Sequence, residues 1–369
     1  MQSTHYSVSV FPGDGIGHEV TEPCLELMQI ACDLAGGVSL SMETLPAGAG
    51  TYQQTGEALP QSSIDKAREA DAILLAAMGD PDIRYPDGTE VTPQIDLRFE
   101  FELYAGIRPV RSIPGVPGPL ADSRANNIDF VLIRESIEGL FEPNAKGTLT
   151  DDERATETLV ITRDVSQKLF KTSCELWQKR RRLKRGCNRL TCVDKANVFQ
   201  AFAFFRSIFY EVAKQYEAPA DHVYVDAMAM HLVTRPWDFD VMVTENMFGD
   251  ILSDQGAALI GGMGYAPSAD IGDKHAVFQP CHGTAPDIAG KGMANPTAMF
   301  LSAAMLLDWL ADKHQDERAR IAAHKLEHAV FSAFSSGKLR TCELGGDSGL
   351  IDVTRAVKMA LKKNSDKAG

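Results

Sequence analysis

Short apolar runs of strand length recur along the whole 369-residue chain, and segments with helical periodicity separate most of them. Runs of this kind are typical of strands that are buried on both faces of a sheet covered by helices. They lie at residues 6–11, 72–77, 128–133, 190–193, 223–225, 241–243 and 276–278. The alternation predicts an α/β fold.

Composition places the chain among ordinary globular proteins, with 44% hydrophobic and 24% charged residues. The amino-terminal residues lack the pattern of a secretory signal, and no apolar run reaches the length of about eighteen residues that a membrane span needs. The seven cysteines form no Cys-x-x-Cys pair, which favours reduced thiols. We therefore expect a cytoplasmic protein that neither spans a membrane nor carries disulfides.

One basic run, residues 178–185, raises the possibility of nucleic-acid binding. The net charge of −13 and the absence of interleaved aromatic residues argue against it. The run is interpreted as a solvated helix end, and no nucleic-acid partner is predicted.

A glycine-rich loop, Pro12-Gly13-Asp14-Gly15-Ile16-Gly17, follows the first predicted strand. It resembles a nucleotide-binding loop, but His18 stands where the dinucleotide fingerprint requires glycine or alanine. Its pattern indicates a tight turn between a strand and a helix, and the fold is not predicted to be a standard Rossmann fold.

Three carboxylates are candidate ligands for a divalent cation. Asp250 and Asp254 are spaced i and i+4, which places both on one face of a helix, and Asp226 follows a strand that reads as buried. Such oxygen ligands suit Mg²⁺ or Mn²⁺. A solvated acidic face is the alternative interpretation of the pair Asp250 and Asp254.

Four basic residues are candidates for a site that binds an acid. Lys195 ends a predicted strand, where burial favours a role as a base, with a salt bridge to Asp194 or another acid as the alternative. Arg98, Arg108 and Arg134 each stand beside apolar residues. Guanidinium groups hold carboxylates in two-point geometry, so the three arginines together with a metal suggest a dicarboxylate pocket, although each alone could form a structural ion pair.

With these residues assembled, nearly the whole chain resembles the β-decarboxylating dehydrogenases, a family that includes isopropylmalate, isocitrate, homoisocitrate, D-malate and tartrate dehydrogenases. The motifs are PGDGIGHEV from Pro12, VDKANV from Val193, YVDAMAMHLV from Tyr224, FGDILSD from Phe248 and HGTAPDIAGKGMANPTA from His282. Isopropylmalate dehydrogenase is the closest in motifs.

The resemblance implies a two-domain fold with a shared mixed sheet. Residues 1–103 and 262–369 would form a large cofactor-binding domain. Residues 104–261 would form a small domain that carries the dimer interface and an arm in the polar segment 142–158, although that segment also fits a solvated loop.

The resemblance also assigns roles. Arg98, Arg108 and Arg134 would bind the substrate carboxylates, and Lys195 would act as the base. Asp226 would share the catalytic site with Lys195 and hold the metal with Asp250 and Asp254. In such families Lys195 and Asp226 come from the neighbouring subunit, so a homodimer would be needed for each complete site.

The cofactor is expected on a different loop from the glycine-rich one, although Ile16 of that loop is included among the candidate contacts. By resemblance the cofactor-binding residues are His282, Gly283, Thr284, Ala285, Pro286, Asp287 and Asn295. Asp287 matches the acidic position that accepts hydrogen bonds from the adenosine ribose. A carboxylate there repels a 2′-phosphate, which favours NAD over NADP.

Two departures from the family pattern bear on the reaction. Phe141, seven residues after Arg134, stands where the family usually has a proton-donating tyrosine. Thr92 and Gln94, which precede Arg98, match neither the aliphatic pattern of isopropylmalate enzymes nor the serine and asparagine of isocitrate enzymes. We expect NAD-dependent, metal-assisted oxidation of a small hydroxy-dicarboxylate, with decarboxylation expected to follow. A catalytically weak, ligand-binding regulatory subunit is the alternative.

Overall fold

A ten-stranded mixed sheet organises the chain, and its strands follow the order β2-β1-β3-β12-β11-β4-β5-β10-β8-β9. The computed structural model describes residues 4–143 and 147–365. The strands are β1 (Thr4–Gly13), β2 (Val38–Thr44), β3 (Ala72–Ala77), β4 (Ala105–Arg111), β5 (Asp129–Glu135), β6 (Thr148–Thr150), β7 (Arg154–Thr156), β8 (Leu190–Asp194), β9 (Ala220–Tyr224), β10 (Val241–Thr244), β11 (Pro267–Ile271) and β12 (Ala276–Pro280).

Helices pack on this sheet. They are α1 (Gly17–Ala35), α2 (Ala49–Thr55), α3 (Gln61–Glu69), α4 (Pro93–Glu100), α5 (Arg163–Arg182), α6 (Gln200–Gln215), α7 (Val225–Thr234), α8 (Asn246–Leu259), α9 (Thr297–His314), α10 (Glu317–Phe334) and α11 (Leu350–Ser365). The predicted α/β class and the shared mixed sheet are confirmed.

The sheet consists of two parallel blocks joined by antiparallel strands. Strands β2, β1, β3 and β12 pair in parallel at one end, and β5, β10, β8 and β9 do so at the other. Between them, β11 and β4 pair antiparallel with each other and with their outer neighbours. This arrangement brings residues from both halves of the sequence to the centre of one sheet.

Most predicted strands match the structure, but the prediction at residues 223–225 was wrong at its end. The strand stops at Tyr224, and Val225 opens α7. Strand β9 is also an edge strand with half-exposed residues rather than a buried one. Asp226 consequently lies in the first turn of a helix at the protein surface.

The sequence predicted that the basic run is a solvated helix end, and this holds only in part: Arg181, Arg182 and Lys184 are exposed, whereas Lys179, Arg180 and Arg185 form ion pairs. Arg180 is buried, and its Nε lies 2.5 Å from Oδ1 of Asp240. Lys179 reaches Asp308 and Asp312 on α9, at 2.5 Å each. The run joins α5 to neighbouring elements through acids that lie far away in the sequence.

The predicted arm contains a small exposed hairpin in which β6 pairs antiparallel with β7. Residues 144–146 of that segment lie outside the described residues. All seven cysteines carry free thiols, as expected. Within residues 4–143 and 147–365, no helix combines the length and the apolar character that crossing a membrane requires.

Candidate active site

Three arginines from three elements line one pocket at the centre of the sheet. Arg98 lies in the last turn of α4, Arg108 in β4 and Arg134 in β5. Antiparallel pairing of β4 with β5 sets Gly106 opposite Arg134 and Arg108 opposite Leu132, so both side chains reach the same face. The pocket has a volume of about 190 Å³, and Asp250 and Asp254 of α8 line it too. The predicted convergence of cationic and acidic groups is present.

Asp270 on β11 anchors two of these arginines, and the sequence analysis missed it. Its Oδ1 lies 2.8 Å from Nη2 of Arg108 and its Oδ2 lies 3.1 Å from Nε of Arg98. Burial raises the pKa of Asp270, but the charges of Arg108 and Arg98 outweigh it and lower the pKa to about 2. The sequence does contain a sign of this role. Asp270 is the one acid in the apolar strand Pro267–Ile271, and a buried carboxylate needs a partner.

Arg134 is held from a different side. Its Nε and Nη2 donate to Oδ1 of Asn246, at 2.9 and 2.7 Å, and its Nη1 pairs with Asp250. Burial, followed by the charge of Arg98, lowers the pKa of Arg134 to about 10, so it stays a cation at neutral pH. Its guanidinium lies over the ring of Phe141, 5.4 Å from the centroid. Phe141 therefore lies beside the pocket.

The two carboxylates of α8 are suited to a cation. Helix α8 starts where the Glu245 side chain accepts from the backbone N–H groups of Phe248 and Met247. Burial, followed by the charge of Asp250, raises the pKa of Asp254, as expected where two acids lie close together. Among the described residues, no three His, Cys, Asp or Glu side chains converge to hold a metal, so Asp226 does not complete the set within one chain.

Lys195 and Asp226 form a separate pair. The Lys195 Nζ lies 2.5 Å from Oδ1 of Asp226, whose side chain is 68% exposed. Asp194, the alternative partner of Lys195, is instead buried and paired with Arg206. Neither Lys195 nor Asp226 is among the residues that line the arginine pocket.

The glycine-rich loop and the expected cofactor loop meet beside this pocket. The Ile16 N–H donates to the Thr284 carbonyl at 2.9 Å. Gly15 has φ +52°, and a Cβ there would lie 2.2 Å from that same carbonyl oxygen, so only glycine allows the approach. The loop at Pro12–Gly17 thus supports the 282–287 segment. This structural role agrees with the sequence of the loop, which does not match the Rossmann fingerprint.

Within the cofactor loop, His282 and Gly283 line the arginine pocket. The buried Nε2 of His282 finds no hydrogen-bond partner in residues 4–143 or 147–365, and burial lowers the pKa of this histidine. Asp287 is exposed. The Asn295 Oδ1 accepts from the backbone N–H of Thr297 at 3.1 Å, so this side chain also caps α9. The Nε2 of His282, which lacks a partner among the described residues, lies in this loop and could form a hydrogen bond with a polar cofactor.

The two residues of the expected specificity segment differ in placement. Gln94 lines the pocket, and its buried Oε1 lacks a hydrogen-bond partner among the described residues. Thr92 is at the N-cap position of α4 and is not among the lining residues. Of these two residues, only Gln94 presents a polar atom to the pocket.

The mixed sheet, the anchored arginines and the paired carboxylates define the chain as a β-decarboxylating dehydrogenase that acts on a CH–OH group. The sequence profile of the isocitrate/isopropylmalate dehydrogenase family matches residues 7–359, and the chain belongs to that family.

Known relatives agree with this assignment over nearly their full length. The 3-isopropylmalate dehydrogenase of Methanothermobacter thermautotrophicus is 39% identical and is covered over 98% of its length by 96% of this chain. The homoisocitrate dehydrogenase of Methanocaldococcus jannaschii has the same identity and the same coverage. Among solved structures, the isocitrate dehydrogenase from Methylococcus capsulatus has a TM-score of 0.83 and 32% identity, with 97% of this chain and 99% of that chain covered.

Proposed function

We propose that this protein oxidises a small 2-hydroxy acid with a second carboxylate at carbon 3, with NAD as the oxidant and a divalent cation as an aid. The observation that carries the proposal is the convergence of Arg98, Arg108 and Arg134 beside Asp250 and Asp254. Two-point binding of carboxylates by guanidinium groups accounts for the arginines. The acids supply a place for a cation where the substrate hydroxyl would lie.

The chain offers residues that could hold both the divalent cation and NAD. Asp250 and Asp254, with Asp226 of a second subunit, would hold Mg²⁺ or Mn²⁺, and the 282–287 loop with Ile16 and Asn295 would hold NAD. When bound, the cofactor supplies a hydride acceptor and the cation supplies positive charge beside the substrate oxygen. The acidic Asp287 favours NAD, because its charge repels the 2′-phosphate of NADP.

Proton transfer falls to the pair of Lys195 and Asp226. In the family-like role, Lys195 with its amine in the neutral form takes the proton of the substrate hydroxyl at its Nζ. The pKa of Asp226 is lowered, and the largest cause is the hydrogen bond from Lys195. Asp226 therefore stays an anion, which orients the amine of Lys195. The arginines hold the substrate so that carbon 2 faces the cofactor loop.

A homodimer with shared sites accounts for the separation of this pair from the arginine pocket. Large apolar side chains are exposed on α6, α7 and α8; they are Phe204, Met230, Val233, Met247 and Ile251. An exposed apolar surface is typical of a subunit interface. We infer that the end of β8 and the first turn of α7 in one subunit bring Lys195 and Asp226 to the pocket of its partner.

The substrate is inferred to carry a polar group at carbon 3. The related enzymes are named for isopropylmalate and homoisocitrate. In this chain the unpartnered Gln94 Oε1 faces a pocket where an isopropyl group would leave it unsatisfied, at a cost of about 1–3 kcal/mol. Tartrate-like acids, whose carbon 3 carries a hydroxyl, fit this residue better, and malate-like acids, which have only hydrogens there, avoid the apolar contact.

A complementation experiment tests the function and the shared site together. Lys195→Ala and Arg108→Gln should each be inactive with NAD, Mn²⁺ and a panel of malate, tartrate, isopropylmalate and isocitrate stereoisomers. If sites are shared, mixing the two variants by unfolding and refolding restores about a quarter of wild-type activity, because half of the dimers are mixed and half of their sites are intact.

One outcome would count against the shared site, and another would count against the oxidation. Recovery of no activity from the mixture, with dimers re-formed, would place each complete site within one chain. Wild-type protein that binds the acids but reduces no NAD would favour the alternative of a ligand-binding regulatory subunit, which the phenylalanine at position 141 supports.

A further inference from the structure

A second cavity, of about 480 Å³, lies on the face of the sheet opposite to the arginine pocket. Successive residues of a strand point to opposite faces, and both pockets follow this alternation. On β4, Ile107 and Pro109 line the cavity while Arg108 between them lines the arginine pocket. On β11, Pro267 and Ser268 divide in the same way. The cavity is therefore separate from the proposed catalytic site.

Three helices close the cavity and give it an apolar interior. Its floor is formed by the strand residues Ile107 and Val131, and α9 contributes Leu301, Ala304 and Met305. Helix α5 forms one wall and α10 another. A volume of this size with mostly apolar walls and polar groups at the rim is typical of sites for small molecules.

The rim of the cavity carries more positive than negative charge, although the whole chain has a net charge of −13. Its lining includes six arginine or lysine residues and four aspartate or glutamate residues. Lys179 and Arg320 both pair with Asp308 and Asp312. Arg111 pairs with Glu327 at 3.0 Å. With a further contact between Arg320 and Glu317, these pairs neutralise all four acidic residues of the lining.

Three cationic lining residues remain after these pairs. Arg180 and Arg185 bind Asp129, which is not a lining residue. Arg182, at the end of α5, has no ion-pair or hydrogen-bond partner among the described residues. A free guanidinium at the mouth of an apolar cavity is complementary to a molecule with an apolar body and an anionic end.

We propose that this cavity is a second ligand site, which binds a small anion with an aliphatic body, with the body between α5, α9 and β4 and the anionic group at Arg182. The site does not depend on the proposed function. Arg108 shares β4 with two of the lining residues but faces the other side of the sheet. Lys195, Asp226, Asp250 and Asp254 are not among the lining residues.

Titration calorimetry of the full-length protein with decanoate tests the proposal, and decan-1-ol serves as a neutral probe with the same chain. We expect saturable binding of one decanoate per chain, with decan-1-ol about fivefold weaker because it lacks the charge. Absence of saturable decanoate binding would overturn the site. Equal affinity for the alcohol would overturn the role of the anionic group.

Variants locate the binding. Ala304→Phe fills the cavity and should abolish decanoate binding. Arg182→Gln should weaken it about three- to fivefold, whereas Arg181→Gln, a matched exposed change at a residue outside the lining, should leave it unchanged. Unaltered binding by a folded Ala304→Phe protein would refute the location. If that variant does not fold, the comparison of Arg182→Gln with Arg181→Gln decides, and equal affinities would refute it.

Discussion

The carboxylate of Asp270 lies 2.8 Å from Nη2 of Arg108, and this ion pair is almost completely buried beneath the arginine pocket. A second contact, to Arg98, makes Asp270 the common anchor of two substrate-binding candidates. Removing one partner of a buried pair leaves an uncompensated charge, which is far more costly than losing an exposed pair.

We therefore expect Asp270→Asn to lower the free energy of unfolding by about 3 kcal/mol and to raise KM for the hydroxy acid at least about tenfold. Denaturant titration and steady-state kinetics measure the two effects. The control is Asp122→Asn, which breaks an exposed pair with Arg124 and should lower the free energy of unfolding far less than Asp270→Asn does. Equal stability losses in the two variants would show that Asp270 is not an anchor.

Local patterns in the sequence predicted seven of the ten strands of the described sheet and missed β2, β4 and β11. The apolar run at residues 72–77 coincides with β3 because a buried parallel strand needs continuous apolar residues. The convergence of Arg98, Arg108 and Arg134 came instead from the family resemblance, since no local pattern relates α4 to β4 and β5.

Long-range pairing explains what the sequence did not reveal. Arg180 belongs to a basic run that looks solvated, yet its partners are Asp129 and Asp240, more than fifty residues away on either side. Asp270 was missed for the same reason, because its partners lie 162 and 172 positions away. Such pairs become visible only when the strand order is known.

Glu135 should make stability depend on pH. Burial raises its pKa from 4.5 to about 7, against the backbone N–H groups of Ile137 and Glu138, which favour the charged form. The folded state therefore binds a proton that the unfolded chain releases between these two values. The protonated Glu135 thus contributes about 3 kcal/mol to the free energy of unfolding below pH 4.5. This contribution is lost as the pH rises from 4.5 to 7.

Replacing Glu135 with glutamine should remove this dependence, because a neutral amide needs no proton. Denaturant titrations at pH 5 and pH 8 should then differ less for Glu135→Gln than for the wild type. Glu57→Gln, at an exposed position, is the matched control and should retain the wild-type difference. An unchanged difference in Glu135→Gln would mean that Glu135 is charged in the folded protein at neutral pH.

Asp287 is expected to select the cofactor. Asp287→Lys replaces a charge that repels the 2′-phosphate with one that attracts it, so kcat/KM should fall for NAD and rise for NADP. Initial rates with each cofactor measure the change, and Glu22→Lys on the exposed face of α1 controls for net charge. A wild-type preference for NADP would show that Asp287 does not have this role.

Metal dependence should follow from Asp250 and Asp254. Prolonged treatment with a chelator should abolish turnover, and Mn²⁺ or Mg²⁺ should restore it. Asp254→Asn removes one charged ligand and should raise the metal concentration for half-maximal activity more than about tenfold. Full turnover in excess chelator, with no metal found in the protein by elemental analysis, would exclude the assigned role.

The last prediction concerns Phe141, whose ring lies 5.4 Å from the Arg134 guanidinium at the edge of the pocket. This position lacks the phenol that delivers a proton after decarboxylation in the family, and a positioned acid is worth about 10²–10⁴ in rate. Phe141→Tyr should raise the carbon dioxide released per NADH, while the rate of NADH formation, which depends on Lys195, stays nearly constant.

Parallel measurement of carbon dioxide and NADH checks this expectation, because the two products report separate steps. The matched control is Phe331→Tyr, since Phe331 also lies under an arginine, Arg111, at 4.5 Å, but is not a lining residue of the arginine pocket. Its product ratio should equal that of the wild type. If the wild type already releases one carbon dioxide per NADH and Phe141→Tyr changes nothing, another group of the site supplies the proton, and the hydroxyl missing at position 141 does not limit the reaction.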